Sequence, residues 1–306
     1  MITSTQSFAT GGWGPNESFV EPDSGELYAS LQGTHRSFET PCGSYAHFKL
    51  TRYLLRVTQD SRYGDSMERV LYNTVLGAKR LEPAGDAFYF SDYHAPATKT
   101  YFPDKWPCCA GTLPQVAADY RKLIYFRNGD QLFVNLYLPS TLRWVSHDGA
   151  QLALTQSGNY PFDGQINLRL QASRPTEISI LFRIPEWSPG ASIQVNGHAM
   201  PTKMKLGFAA VRRGWSGGDV IQLSLPLRMR LEPIESGHPE TVALMRGPLV
   251  LFAITDNPPK VTRQQLLAAV QSAQQTWAVH TSSGAVDLRP FTAIEDEHYL
   301  TYLTVA

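Results

Sequence analysis

Three cysteines, at positions 42, 108 and 109, are the only thiols in this chain of 306 residues. Cys42 closes the run Glu39-Thr40-Pro41-Cys42, and Cys108 and Cys109 are adjacent. Three thiolates and one carboxylate make a four-coordinate shell of the kind zinc takes once its ligands are deprotonated. The competing reading is structural, because buried free cysteines are common and often only fill space. The adjacent pair is not the C-x-x-C spacing of zinc ribbons, and a vicinal disulfide is strained. Spacing alone leaves metal site and packing both open.

A second candidate is Glu17, at the end of Gly11-Gly12-Trp13-Gly14-Pro15-Asn16-Glu17. A carboxyl on a Gly-rich loop beside an aromatic ring can be held protonated and serve as a general acid. A surface glutamate is the plainer reading, and Glu21, Asp23 and Glu26 close by dilute the signal. His47 falls on a helix face, where a satisfied core histidine is the ordinary case. His35 and His94 carry no assignment. Phe88, Tyr89, Phe90, Tyr93, Tyr101 and Trp106 could stack on a sugar ring or pack in a core.

The elements that must position these groups change character near residue 128. Before it, apolar residues recur at helical spacing. His47, Leu50, Leu54 and Val57 form one stripe. Tyr63, Met67, Val70, Leu71, Thr74 and Val75 form another, with Asp60 or Ser61 as N-cap. A third helix is predicted from Thr112, where Gln115 completes capping-box spacing and Pro114 falls in the first turn. Its buried face would be Leu113, Val116, Ala117, Tyr120, Leu123 and Ile124. The aromatic stretch Phe88 to Trp106 has no helical period and reads as a functional loop.

Beyond Asn128 the period becomes two. Leu132, Val134, Leu136 and Leu138 alternate with Phe133, Asn135 and Tyr137, and Ile178, Ile180 and Phe182 follow suit. Asp148-Gly149, Asp163-Gly164, Asn196-Gly197 and Gly217-Gly218-Asp219 supply the turns. Short strands with regular turns predict an antiparallel sandwich. A late helix is predicted over about Arg263 to Gln274. The expected organisation is 1–128 helical, 129–258 β-sandwich, and 259–306 a helix and tail packing on one of them.

Composition excludes several classes. Lys+Arg is 27 and Asp+Glu is 27, a balance that argues against general nucleic-acid binding, which wants a basic surface. No run of 18 apolar residues argues for a membrane span, and the polar, Gly-rich start does not read as a signal peptide. As it stands the chain reads as cytoplasmic. The odd cysteine count excludes a pure disulfide scaffold.

Taken in order, Gly-Gly-Trp-Gly-Pro-Asn-Glu17, Glu39-Thr-Pro-Cys42, the Ser61 to Asn73 helix, Cys108-Cys109 and Ile294-Glu-Asp-Glu-His-Tyr299 resemble glycoside hydrolase family 127. That family holds β-L-arabinofuranosidases with a cysteine nucleophile. The resemblance implies part of an (α/α) barrel followed by antiparallel β-sandwich domains, a mixed α and β fold. It implies a retaining glycosidase acting on an L-arabinofuranose-containing glycoside. Glu17 matches the acid/base. Glu39, Cys42 and Cys109 match zinc ligands, Cys108 both ligand and nucleophile, and Tyr89 a contact to the nucleophile or sugar. One departure is Pro41, where the best-known members run Glu-Thr-Cys.

A closed barrel needs more helices than the three read here. The chain is therefore expected to be the C-terminal portion of a longer enzyme, weakly active or inactive alone. Two other expectations stand beside it. One is a zinc hydrolase using metal-activated water, and the other is a non-catalytic carbohydrate-binding β-sandwich.

Overall fold

The computed structural model describes residues 5–13, 18–33, 41–82, 85–86, 88–101 and 108–306. Among them are five α-helices: α1 (Glu26–Ala29), α2 (Pro41–Thr58), α3 (Ser61–Asn73), α4 (Cys108–Asp119) and α5 (Arg263–Leu267). The rest is largely antiparallel sheet, concentrated after Tyr125, the mixed α and β fold expected. No helix among the described residues is long and apolar enough to cross a membrane. The chain forms two compact units. One comprises Met1–Lys49, Ser66–Asp119 and Met229–Ala306, and the other Leu50–Asp65 and Tyr120–Arg228.

The second unit contains a six-stranded and a five-stranded sheet. In Gln151–Ser157 and Gln165–Ala172 every second residue is buried, including Leu152, Leu154, Ile166, Leu168 and Leu170. This is the period-two pattern of a sheet with one wet face. The expected alternation fails at Gln131–Val134, where Leu132, Phe133 and Val134 are all buried. That strand lies inside its sheet, beside Tyr125–Asn128 on one edge and parallel to Thr176–Arg183 on the other. Gln156 ties the two sheets together, donating to Tyr125 Oη at 2.8 Å and to the Leu136 carbonyl at 3.3 Å.

Arg183 is fully buried in this unit. Its guanidinium pairs with Asp65 on α3 and donates to the Asn135 carbonyl. Asp65 also accepts from the Glu186 amide at 3.1 Å. A buried charge survives only when paired and hydrogen-bonded in this way. Gly64 makes room for it: a Cβ there would lie 2.1 Å from Asn135 Oδ1 and 2.5 Å from Arg183 Cδ.

In the first unit an eight-stranded sheet is built from strands between Met229 and Thr304. Its core joins Phe8, Phe88, Tyr93, Met245, Phe252, Phe291 and Tyr299. Asn73, the last residue of α3, zips that helix onto the Arg246–Leu249 turn. Its Nδ2 donates to the Pro248 carbonyl at 2.9 Å, and its Oδ1 accepts from the Val250 amide at 2.8 Å. Lys99 is buried, and its Nζ donates to the carbonyls of Gly77 (2.6 Å), Phe291 (2.8 Å) and Ile294.

Four local expectations need correction. The buried stripe of α2 is Ser44, His47, Phe48, Thr51 and Leu55, whereas Leu50 and Val57 are 44% and 83% exposed. Small polar residues, which a hydrophobic pattern skips, complete the true face. The Phe88 to Trp106 stretch is not a structureless loop, because Phe88–Ser91 and Lys99–Tyr101 pair as an antiparallel hairpin. The late helix stops at Leu267, and Val270–Ala273 is a strand. A capping box of Thr262 and Gln265 starts the helix. The third helix begins at Cys108, one turn before Thr112, so Pro114 stands inside it. Thr112 and Gln115 therefore do not cap it: they bond back to the carbonyls of Cys108 and Gly111.

Candidate functional site

The start of α4 decides the geometry of the site. Because the helix begins at Cys108, both adjacent cysteines lie in its first turn. Cys42 likewise lies in the first turn of α2, behind Pro41 at the first helical position. Two helices thus bring three thiols together, all three sulfurs within 4.8 Å of one another.

The three thiols differ in exposure. Cys108 is exposed, Cys42 half-buried and Cys109 buried. None is in a disulfide. Cys109 Sγ–H donates to Cys42 Sγ at 3.5 Å, and Cys42 in turn to Cys108 Sγ at 2.9 Å. Thr112, one turn into α4, places its hydroxyl 3.3 Å from Cys42 Sγ. Burial, and then the neighbouring thiol, pushes the Cys42 pKa above the ordinary thiol value. Burial does the same to Cys109 more strongly. Packed thiols of this kind hold their protons unless a cation stands among them. The donor set fits such a cation. Zinc–sulfur bonds of about 2.3 Å in a tetrahedron put sulfurs about 3.8 Å apart, compatible with the spread seen here. The cluster could hold a metal ion.

α2 is held in place by contacts that hydrophobic pattern alone does not signal. Ser44 Oγ lies 3.2 Å from Thr74 Oγ1, and His47 Nε2 lies 2.7 Å from Ser66 Oγ. His47 is buried as a core residue, and burial lowers its pKa to about 4. The Trp13 ring packs against it, 5.1 Å between centroids, and against Phe19 at 5.4 Å. Trp13 and Phe19 flank the stretch that carries Glu17, so both ends of that stretch are tied near α2. Glu17 itself lies outside the described residues, as do Glu39, His35 and Trp106. Among the aromatics weighed for sugar stacking, Phe88 and Tyr93 belong to the core. Tyr89 is half-buried on the strand Phe88–Ser91, against which α4 packs. His94 is not brought to the thiols.

Comparison with known proteins gives the family and the fold. Residues 1–122 match the model of the catalytic domain of GH127 β-L-arabinofuranosidase, and residues 131–227 that of the GH127 middle domain. Together the two matches cover more than half of the chain. Among solved structures, a GH127 β-L-arabinofuranosidase from Geobacillus stearothermophilus T6 superposes with a TM-score of 0.76 at 23% identity. That match covers 100% of this chain and 55% of the other. A GH127 β-arabinofuranosidase gives 0.77 at 19% identity, with coverage of 100% and 55%. A structure described as a glycoside hydrolase gives 0.74 at 20%, with 100% and 60%. At these identities the likeness is one of fold. The chain spans just over half the length of the first two. No curated protein matches it.

Proposed function

The chain belongs to the GH127 β-L-arabinofuranosidase family, and from that premise we propose that it serves hydrolysis of an L-arabinofuranose-containing glycoside with retention at the anomeric carbon. The observation that carries the proposal is the convergence of Cys42, Cys108 and Cys109 from two helices. In this reading Cys42, Cys108, Cys109 and Glu39 hold zinc. The ion, when bound, supplies the positive charge that keeps the thiols deprotonated.

Retaining glycosidases usually pair a nucleophile with an acid/base, most often two carboxylates. Here Cys108 is the nucleophile, the one thiol of the three that is exposed. Its thiolate attacks the anomeric carbon while Glu17 protonates the departing glycosidic oxygen. The Cys108–sugar thioether bond is thereby formed and the glycosidic bond broken. Glu17, now a carboxylate, takes a proton from water. The water oxygen attacks the same carbon, and the sulfur leaves as thiolate. Two inversions give net retention. Buried Cys109 stays behind as an anchor, which accounts for two adjacent cysteines where one would suffice as nucleophile. Tyr89 contacts the sugar or the sulfur.

The test is release of L-arabinose from an aryl β-L-arabinofuranoside by the 306-residue chain, with anomeric configuration followed by NMR and the Cys108 peptide examined by mass spectrometry. Retention and a pentosyl adduct on Cys108 support the reading. Inversion, an adduct at another residue, or undiminished release by Cys108→Ser would overturn it.

A further inference from the structure

The second unit holds a cleft that no step above uses. The last turns of α2 carry Arg52, Leu55 and Arg56 at i, i+3 and i+4, so they share one helix face, and Gln59 follows directly after the helix. Gln59 ends the helix in a left-handed conformation (φ 56°), its amide bonded to the Leu55 carbonyl. The rest of the wall comes from Lys122, Tyr125, Phe126, Arg127, Asn128 and Phe133. The enclosed space is about 490 Å³.

Four cationic side chains line this cleft and, among the described residues, no carboxylate does. The whole chain carries formal net charge zero, so this is a segregation of charge and not a reflection of composition. The negative end of the α2 dipole favours a cation at Arg56. It does not account for Lys122 and Arg127, which belong to another segment. Cations gathered in a walled cleft focus a field that draws an anion. Guanidinium forks suit a carboxylate or phosphate, which they grip through two parallel bonds. Tyr125 spends its hydroxyl on Ser140 (3.0 Å) and Gln156 (2.8 Å), which leaves its half-buried ring, with that of Phe126, as contact surface. Rings beside cations suit a sugar that carries an acid group.

We propose that this cleft binds a uronate-bearing segment of a glycan, with Arg52, Arg56, Lys122 and Arg127 on the carboxylates and Tyr125 and Phe126 against the sugar rings. The glycan part of the proposal rests on the hydrolase reading above, whereas the anion part rests on the cleft alone.

The experiment is calorimetric titration of the full chain with trigalacturonate, a neutral trisaccharide and inorganic phosphate. Trigalacturonate should bind, and weaken as ionic strength rises. R52Q/R56Q should weaken it by about tenfold or more, since charge-assisted forks are lost. K122Q/R127Q should do the same and stands in if the first variant does not fold. R212Q, whose side chain pairs with Glu177 at 2.9 Å, should leave binding unchanged. No binding, equal binding of the neutral sugar, phosphate binding as tight as the trisaccharide, or insensitivity of both double variants would each overturn the proposal. Binding is read without turnover. A chain that binds trigalacturonate but releases arabinose with inversion would sink the hydrolase reading and keep the cleft.

Discussion

The sulfurs of Cys42 and Cys108 lie 2.9 Å apart although 66 residues separate them in the chain, and no bond joins them. Each sits in the first turn of its helix, and Thr112 braces the junction. The proposed mechanism gives the two cysteines of α4 different roles. Cys109→Ser should lose bound zinc, with affinity down about 100-fold or more in competition with a chromophoric chelator, because a ligand is removed. Cys108→Ser should lower arabinose release by about ten-thousandfold, the scale expected when a nucleophile is deleted. Retained release in Cys108→Ser with zinc still bound would favour metal-activated water instead.

Metal binding should itself be strongly pH-dependent. Burial holds the Cys42 and Cys109 thiols protonated at neutral pH. Loading zinc must therefore release protons, and affinity should fall as pH is lowered. Titration in two buffers of different ionisation enthalpy measures the released protons. Zinc uptake with no proton release would contradict thiolate ligation by this cluster.

His47 gives a second acid-sensitive element, in the helix that carries Cys42. Its pKa is about 4 in the fold against 6.5 unfolded, because burial penalises the charged ring. The unfolded chain therefore binds the extra proton between those values. The stabilisation is fully present above pH 6.5 and is lost as pH falls to 4, about 3 kcal/mol in all. His47→Gln should flatten the stability–pH curve in that window, as read by urea melts. An unchanged slope would show that His47 is not the group responsible.

Much of this was legible in the sequence. Period-three-and-four and period-two patterning separated the helical part from the sheets, and the α3 stripe from Met67 to Val75 is buried as read. Asp60 does cap α3, its Oδ1 accepting from the Arg62 amide at 3.0 Å. What escaped was polar and long-range. Ser44, Thr51 and Ser66 build the α2 interface but look like surface residues in a hydrophobic pattern. The start of α4 was misplaced because Thr112 and Gln115 mimic a capping box, so the cysteines looked like a loop and not a helix terminus. No spacing rule joins residue 42 to residue 108, and only the resemblance of the motifs brought them together. Arg183 and Asp65 show the same limit, since a buried ion pair between distant elements leaves no local trace.

Gly64 tests how tightly that pair is packed. Alanine is the better helix former by about 1 kcal/mol in an exposed position. Here its Cβ would overlap Asn135 Oδ1 and Arg183 Cδ. Relief means moving a buried, paired guanidinium, so Gly64→Ala should destabilise by about 2–4 kcal/mol despite the helical gain. A denaturant melt of unchanged midpoint would mean that the second unit is loose around Arg183.

Lys99 makes the last prediction, because it is a buried cation whose acceptors are all backbone. Its ammonium holds the carbonyls of Gly77, Phe291 and Ile294, and it stands 4.1 Å from the centre of the Phe291 ring. Burial pulls its pKa down to about 8, so it remains mostly charged at neutral pH. Lys99→Met keeps the stem and removes the donors, leaving three carbonyls without them. The loss should be about 3–5 kcal/mol, the scale for breaking a buried charged network. It should be local first. Amides from Phe291 to Ile294 should exchange faster with solvent, while those of the second unit keep their protection. Uniform loss of protection across both units would show that Lys99 supports the whole chain and not only the anchoring of its tail.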